Sequence, residues 1–221
     1  MNTLPRPATG LAIGLSALAG FVDAIGFLEL RGIFVSFMSG NSTQLAVALT
    51  EGHVRAVASL GGIIALFVLG VIAGTLTGHF SESSRRMIGV MGLVTVLLGA
   101  ATCFHLALHV PLAVVACLTL AMGAENAVFS RNGDVVVGVT YMTGTLVKVA
   151  QKLSQAVTGG APWAWVPWLG LWIGLIVGGI SGALAYHALG LSSVTVAFLA
   201  AAGLTLYTWG FRVSGHHEES S

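Results

Sequence analysis

The chain has 221 residues, 56% of them hydrophobic and 8% charged, with a mean hydropathy of +0.92. A soluble domain carries about 25% charged residues, so this composition excludes a water-facing globule and points to a polytopic membrane protein. A net charge of +1 with scattered Lys and Arg leaves no basic stripe, which excludes nucleic acid as a partner.

A helix needs about 20 apolar residues to cross the hydrocarbon. On that measure apolar segments fall at about 9–29, 33–50, 57–79, 86–107, 110–130, 135–156, 166–188 and 191–211. The first, LAIGLSALAGFVDA after Arg6, has the look of a cleavable leader. Its Gly20, Asp23 and Ala24 reappear as Gly123, Asn126 and Ala127 in the fifth segment, so it reads as retained structure.

The second segment carries FVSFMSGNSTQLA and the sixth VGVTYMTGTLVKVA. Aligned without gaps, Ser36 meets Thr140, Phe37 meets Tyr141, Met38 meets Met142, Ser39 meets Thr143, Gly40 meets Gly144 and Asn41 meets Thr145. The offset is 104 residues (140 − 36), almost half the chain. A Ser or Thr before a Gly, followed by further hydroxyls, suits the cap of a helix that starts in mid-membrane. Such broken backbone survives at that depth only where protein or a water-filled cavity satisfies it. The rival is a straight span whose hydroxyls bond back to the preceding turn.

The third and seventh segments match as GVIAGTLTGH, Gly70 to His79, and GGISGALAYH, Gly178 to His187. Gly70, Gly74 and Gly78 share one helix face, as do Gly174, Gly178 and Gly182, a spacing that lets helix backbones approach closely in lipid. His79 and His187 close these helices as interfacial residues. Trp163, Trp165, Trp168 and Trp172 at the entry to the seventh segment, with Tyr207, Trp209 and Phe211 at the end of the eighth, read as interfacial belts. Cys103 and Cys117 lie in apolar runs without metal-ligand spacing and read as buried thiols.

Eight full spans would divide the basic residues five against four, which is no bias. Motif segments that enter and leave on one side give a different division. Arg6, Arg85, Arg86, Arg131, Lys148, Lys152 and Arg212 then lie inside against Arg31 and Arg55 outside, which obeys the positive-inside rule. That arrangement makes the halves inverted relative to each other, a common plan for transporters with a site between the repeats.

A charge near mid-membrane costs roughly 2.5 to 3.5 kcal/mol on insertion scales and is a functional candidate by default. Asp23, Glu125 and Lys148 qualify, with Asn126 the counterpart of Asp23 and Gln44 that of Lys148. Two readings stand: a charge-coupling or proton-coupling group, or a near-neutral cluster that pins the helices in register. The run GFVDAIGF followed by FVSFMSGNSTQLA resembles the YoaK-like family of bacterial inner-membrane proteins, over most of the chain. The resemblance implies a bacterial plasma-membrane location and supplies no substrate, cofactor or functional residue. Thr145 departs from the asparagine of the first copy.

The expectation is therefore an all-α membrane helix bundle of two internal repeats, each with three spanning helices and one broken or re-entrant motif helix. The first repeat covers 1–107 and the second 108–213, with a disordered polar tail at 214–221. The leading function is a small-solute transporter or permease, with solute contacts from Ser39, Gly40, Asn41, Thr43, Thr143, Gly144 and Thr145 and coupling through Asp23, Glu125, Asn126 and Lys148. A channel and a non-transporting scaffold are the rivals. With no nucleophile–base pair and no HExxH, enzyme chemistry, cofactors and metals are not expected. The expected partners are the bilayer, a small solute and a second copy docked through the glycine faces, with both termini cytoplasmic.

Overall fold

The structure, a computed structural model, describes residues 6–81, 85–131, 134–135, 138 and 140–218. Residues 136, 137 and 139 of the second motif, and the last three of the expected tail, lie outside that set. The described chain is helical: α1 (Arg6–Glu29), α2 (Met38–Thr50), α3 (Val54–Phe80), α4 (Arg86–Cys103), α5 (Pro111–Glu125), α6 (Met142–Val157), α7 (Val166–Leu189) and α8 (Val194–Glu218). A π-turn, Phe104–Leu108, extends α4, and a 3-10 turn, Gly190–Ser193, joins α7 to α8. One departure from an all-helical chain is a two-residue antiparallel bridge that pairs Ser130 with Val135 and Arg131 with Asp134. Helix α8 continues to Glu218, into the stretch expected to be a tail.

Among the described residues, four helical stretches are long and apolar enough to cross a membrane: Ala8–Glu29, Val54–Phe80, Arg86–Leu108 and Val166–Gly210. The last is 45 residues long and folds back on itself. Gly190 sits at φ 58°, a left-handed conformation that costs glycine nothing, and the chain reverses there. The relative directions follow from neighbours. Gly174, Gly178 and Gly182 of α7 face Ile13, Ala17 and Phe21 in the same order, so α1 and α7 run parallel. Gly10 and Gly14 face Tyr207 and Leu204, so α8 runs against α1. Thr95 bonds Thr205 at 2.8 Å and Gly99 faces Phe198, so α4 runs against α8. Gly70 and Gly74 face Leu120 and Ala124, so α3 and α5 run parallel.

These glycines are why the helices can touch. A Cβ on Gly70 would strike the carbonyl of Leu120, and one on Gly178 the carbonyl of Ala17. A Cβ on Gly20 or Gly123 would strike the carbonyl of Leu175 or Phe67. Lipid tails are as apolar as leucine, so this backbone-to-backbone packing, not hydrophobicity, holds the bundle. Of the glycines expected to receive a second copy, Gly70 and Gly74 face α5, Gly78 faces α4, and Gly174, Gly178 and Gly182 face α1 of the same chain. At the centre, Leu15, Val22, Met91, Leu98, Leu118 and Met122 are fully buried.

Helices α2 and α6 have 13 and 16 residues, about 20–24 Å at 1.5 Å per residue and too short for a hydrocarbon core of about 30 Å. Each follows a break in the chain. α1 ends with Arg31 at φ 53° and Gly32 at φ 111°, where the Gly32 amide bonds the Phe27 carbonyl at 2.8 Å. α5 stops at Glu125, short of the expected end of its segment near 130.

Candidate functional site

After Gly32 the chain turns back along α1 until Val35 and Ser36 reach Asp23, about 9 Å below the end of that helix at 1.5 Å per residue. Both amides donate to Asp23 Oδ1, each at 2.8 Å, and both residues are buried. Backbone at membrane depth needs partners, and a side chain of α1 supplies them. Asn41 closes the same loop from the other side. Its Oδ1 accepts from the Phe34 amide at 3.0 Å and its Nδ2 donates to the Phe34 carbonyl at 2.6 Å. Gln44 Nε2 donates to the Gly32 carbonyl at 3.0 Å.

The second copy has other partners at its described residues. Asn126 accepts from the Thr140 hydroxyl at 2.8 Å and donates to the Met122 carbonyl at 3.0 Å. Thr145, standing where the first copy has Asn41, bonds back to the Tyr141 carbonyl at 3.1 Å and holds no loop. The start of α6 is tied instead to the first half, because Ser16 of α1 lies 3.8 Å from Met142 Sδ while its hydroxyl donates to the Leu171 carbonyl at 2.8 Å.

The half-helices begin at Met38 and Met142, and their flanking residues are Phe37 and Tyr141, neither of which caps with its side chain. The expected Ser or Thr cap is absent. Ser39 and Thr143 lie inside the first turn, and Ser42 and Thr43 bond back to the carbonyls of Met38 and Ser39 at 2.8 and 3.2 Å. The first amides of a helix have no carbonyl before them to bond. Met38 and Asn41 donate to Ser36 and Phe37, and Met142 and Thr145 to Thr140 and Tyr141. Among the described residues, no acceptor pairs with the amides of Ser39, Gly40, Thr143 or Gly144.

Both helix starts face one cavity of about 260 Å³, lined by Ser36 to Ser39, Phe67 and Thr140 to Gly144. It carries hydroxyls, two thioethers and three aromatic rings, and no ionisable acid or base apart from the Tyr141 phenol. Of the expected solute contacts, Ser39, Thr143 and Gly144 line it. Gly40, Asn41, Thr43 and Thr145 do not: Gly40 packs under the Phe37 and Phe34 rings and the other three hold local structure. The residues missed, Ser36, Phe37, Met38, Thr140, Tyr141 and Met142, all stand inside the doubled run. The match between the copies could have named them. Phe67 of α3 has no counterpart in either motif.

The charged candidates separate. Asp23 and Asn126 do matching work, each holding the loop that enters its motif. Glu125 is fully buried, and neither carboxyl oxygen has a hydrogen-bond partner among the described residues. Lys148 is exposed on α6. Among the described residues the ion pair within 4 Å joins His53 to Glu51, so the expected neutral cluster of Asp23, Glu125 and Lys148 does not form.

A family described as "Protein of unknown function (DUF1275)" matches residues 11–208. The chain belongs to this family. It is 34% identical over 181 residues to a UPF0700 transmembrane protein of Rhizobium meliloti (strain 1021), covering 79% of this chain and 77% of that one. It is 27% identical over 146 residues to the UPF0700 transmembrane protein YoaK of Bacillus subtilis (strain 168), covering 63% and 64%. No solved structure matches. The family membership agrees with the resemblance carried by GFVDAIGF and FVSFMSGNSTQLA, and the relatives' description as transmembrane proteins agrees with the four long apolar stretches.

Proposed function

We propose that this family member is a small-solute transporter or permease that holds its solute in the cavity between Met38 and Met142. The observation that carries the reading is that two interrupted helices start at one shared cavity. Helix starts aimed at a common cavity suit an anion or a carboxylate, through the positive ends of their dipoles and their unpaired amides. A volume of about 260 Å³ is roughly that of eight water molecules at about 30 Å³ each, which suits a solute of a few heavy atoms.

The proposal includes two inverted repeats, each with three spanning helices and one re-entrant motif helix. Support comes from the glycine seams. At the spacing that pairs Gly20 with Gly123, Ala17 pairs with Leu120 and Phe21 with Ala124. Those are the residues met by Gly178 and Gly70, and by Gly182 and Gly74, in turn. With α1 and α3 opposed in direction, α2 enters and leaves on one side. The side bearing Arg6 and Arg85 is then the cytoplasmic one.

Two experiments test this. In a protein lacking Cys103 and Cys117, single cysteines replacing Arg31 and Glu51 should label from one side of the membrane, and those replacing Arg131 and Gln155 from the other. A pair split across the membrane sinks the re-entrant arrangement. In vesicles, the purified protein should speed the flux of small inorganic anions or short carboxylates, and Thr143→Trp should abolish that flux in a protein that still elutes as a folded species. Flux untouched by Thr143→Trp would remove the cavity from the pathway.

A further inference from the structure

A second concavity lies away from the central cavity, in the side of the bundle between α1 and α7. It has a volume of about 490 Å³, and its lining is apolar but for one ionisable group, Asp23. Its floor is backbone, because Gly20 and Gly179 bring α1 and α7 so close that a Cβ on Gly20 would lie 3.0 Å from the Gly179 amide. Two rings, Phe27 and Phe34, stand at one edge with centroids 4.8 Å apart.

The Asp23 carboxyl has the two peptide amides of the motif loop as partners and no basic side chain within 4 Å among the described residues. Peptide dipoles orient a carboxylate without neutralising it, and a charge at this depth is costly unless paired. A cation in the groove would supply the countercharge. Metal ions want several oxygen ligands, which this groove lacks. A cation with its charge spread over an apolar body fits both the hydrocarbon lining and the ring faces, which attract positive charge. Asp23 lies about 9 Å below the end of α1 at 1.5 Å per residue, beneath the level of lipid headgroups. That depth favours a free lipophilic ion over the ammonium of a phospholipid.

We propose that the groove between α1 and α7 binds a lipophilic organic monocation, an ammonium or phosphonium, with Asp23 as its counter-ion and Phe27 and Phe34 against its body. The site is separate from the central cavity but shares a wall with it: Phe34 lines the groove, Ser36 lines the cavity, and Asp23 holds the peptides between them.

The test is binding of tetraphenylphosphonium to the purified full chain in detergent. Wild type should bind it saturably, and Asp23→Asn should weaken binding by at least about tenfold, as expected when a desolvated charge pair loses one partner. Because Asp23→Asn also touches the motif loop, Gly179→Leu is the second variant. A Cβ there meets the Gly20 carbonyl at an ordinary 3.7 Å, so the side chain enters the groove without striking backbone and without removing the Asp23 carboxyl. It should abolish saturable binding while leaving the melting temperature in place. Tetraphenylborate, of the same shape and opposite charge, should not compete. Equal binding by wild type and Gly179→Leu, or competition by the borate, would overturn the proposal by reducing the uptake to partition into micelles.

Discussion

The two copies of the motif are alike in sequence and, among the described residues, differ in the side chains that tie them to their surroundings. The first is clamped on three sides: Asp23 takes two amides, Asn41 takes both polar atoms of Phe34, and Gln44 reaches Gly32. In the second, among the described residues, Thr140 bonds Asn126, Thr145 bonds back within its own helix, and Lys148, in the place of Gln44, is exposed. The lesson is that a repeated motif can keep its helix start while the side chains that tie it to its surroundings change at a few positions, here Asn41 against Thr145 and Gln44 against Lys148.

The glycine seams set the outer bound of that contrast, since there the copies are built alike. Gly70→Val and Gly178→Val each drive a side chain into a backbone carbonyl, at a cost of about 3 kcal/mol or more. Both should abolish recovery of a monodisperse protein. Gly203→Val, with nothing within 4 Å of its Cβ, should be recovered normally. Unequal seam variants would break the premise that the copies differ at the motifs.

Next comes the anchor pair. Asp23→Ala strands two loop amides, whereas Asn126→Ala strands one loop hydroxyl and the Met122 carbonyl, and each unsatisfied group costs about 1–3 kcal/mol. The fall in apparent melting temperature in detergent should be the larger for Asp23→Ala, because an under-bonded carbonyl is tolerated better than an orphaned amide. Equal falls would make the two anchors equivalent.

The smallest effect separates the motif glycines. A Cβ on Gly40 lies 2.5 Å from a Phe37 ring carbon, whereas one on Gly144 meets nothing within 4 Å. Gly40→Ala should lower the melting temperature through a strain of about 1–3 kcal/mol. Gly144→Ala should raise it slightly, because alanine is favoured over glycine in a helix by about 0.8–1.0 kcal/mol.

Much of this was legible in the residues. Glycines every fourth position announced close helix contacts, and the doubled run marked both helix starts. The partners of those glycines were not legible, since Ala17, Phe21, Leu120 and Ala124 offer only carbonyls and a carbonyl leaves no mark in a sequence. For that reason the glycine faces read as surfaces for a second copy. The hydroxyls misled in another way. A Ser or Thr near a helix start can cap it or bond back within it, and Ser42, Thr43 and Thr145 do the latter. Nor could spacing separate Lys148 from Asp23 and Glu125, because equal depth in the membrane does not mean the same face of the bundle.

Each glycine seam joins a helix from one half of the chain to a helix from the other: α1 with α7, α5 with α3. The halves are thus braided rather than set side by side. A polypeptide ending after α4 would carry one strand of each braid and could complete neither alone; it would have to find its complement on a separate chain. Joining the two halves in one chain fixes their proportion at one to one, and lets positions such as Asp23 and Asn126 diverge without risk of like pairing with like.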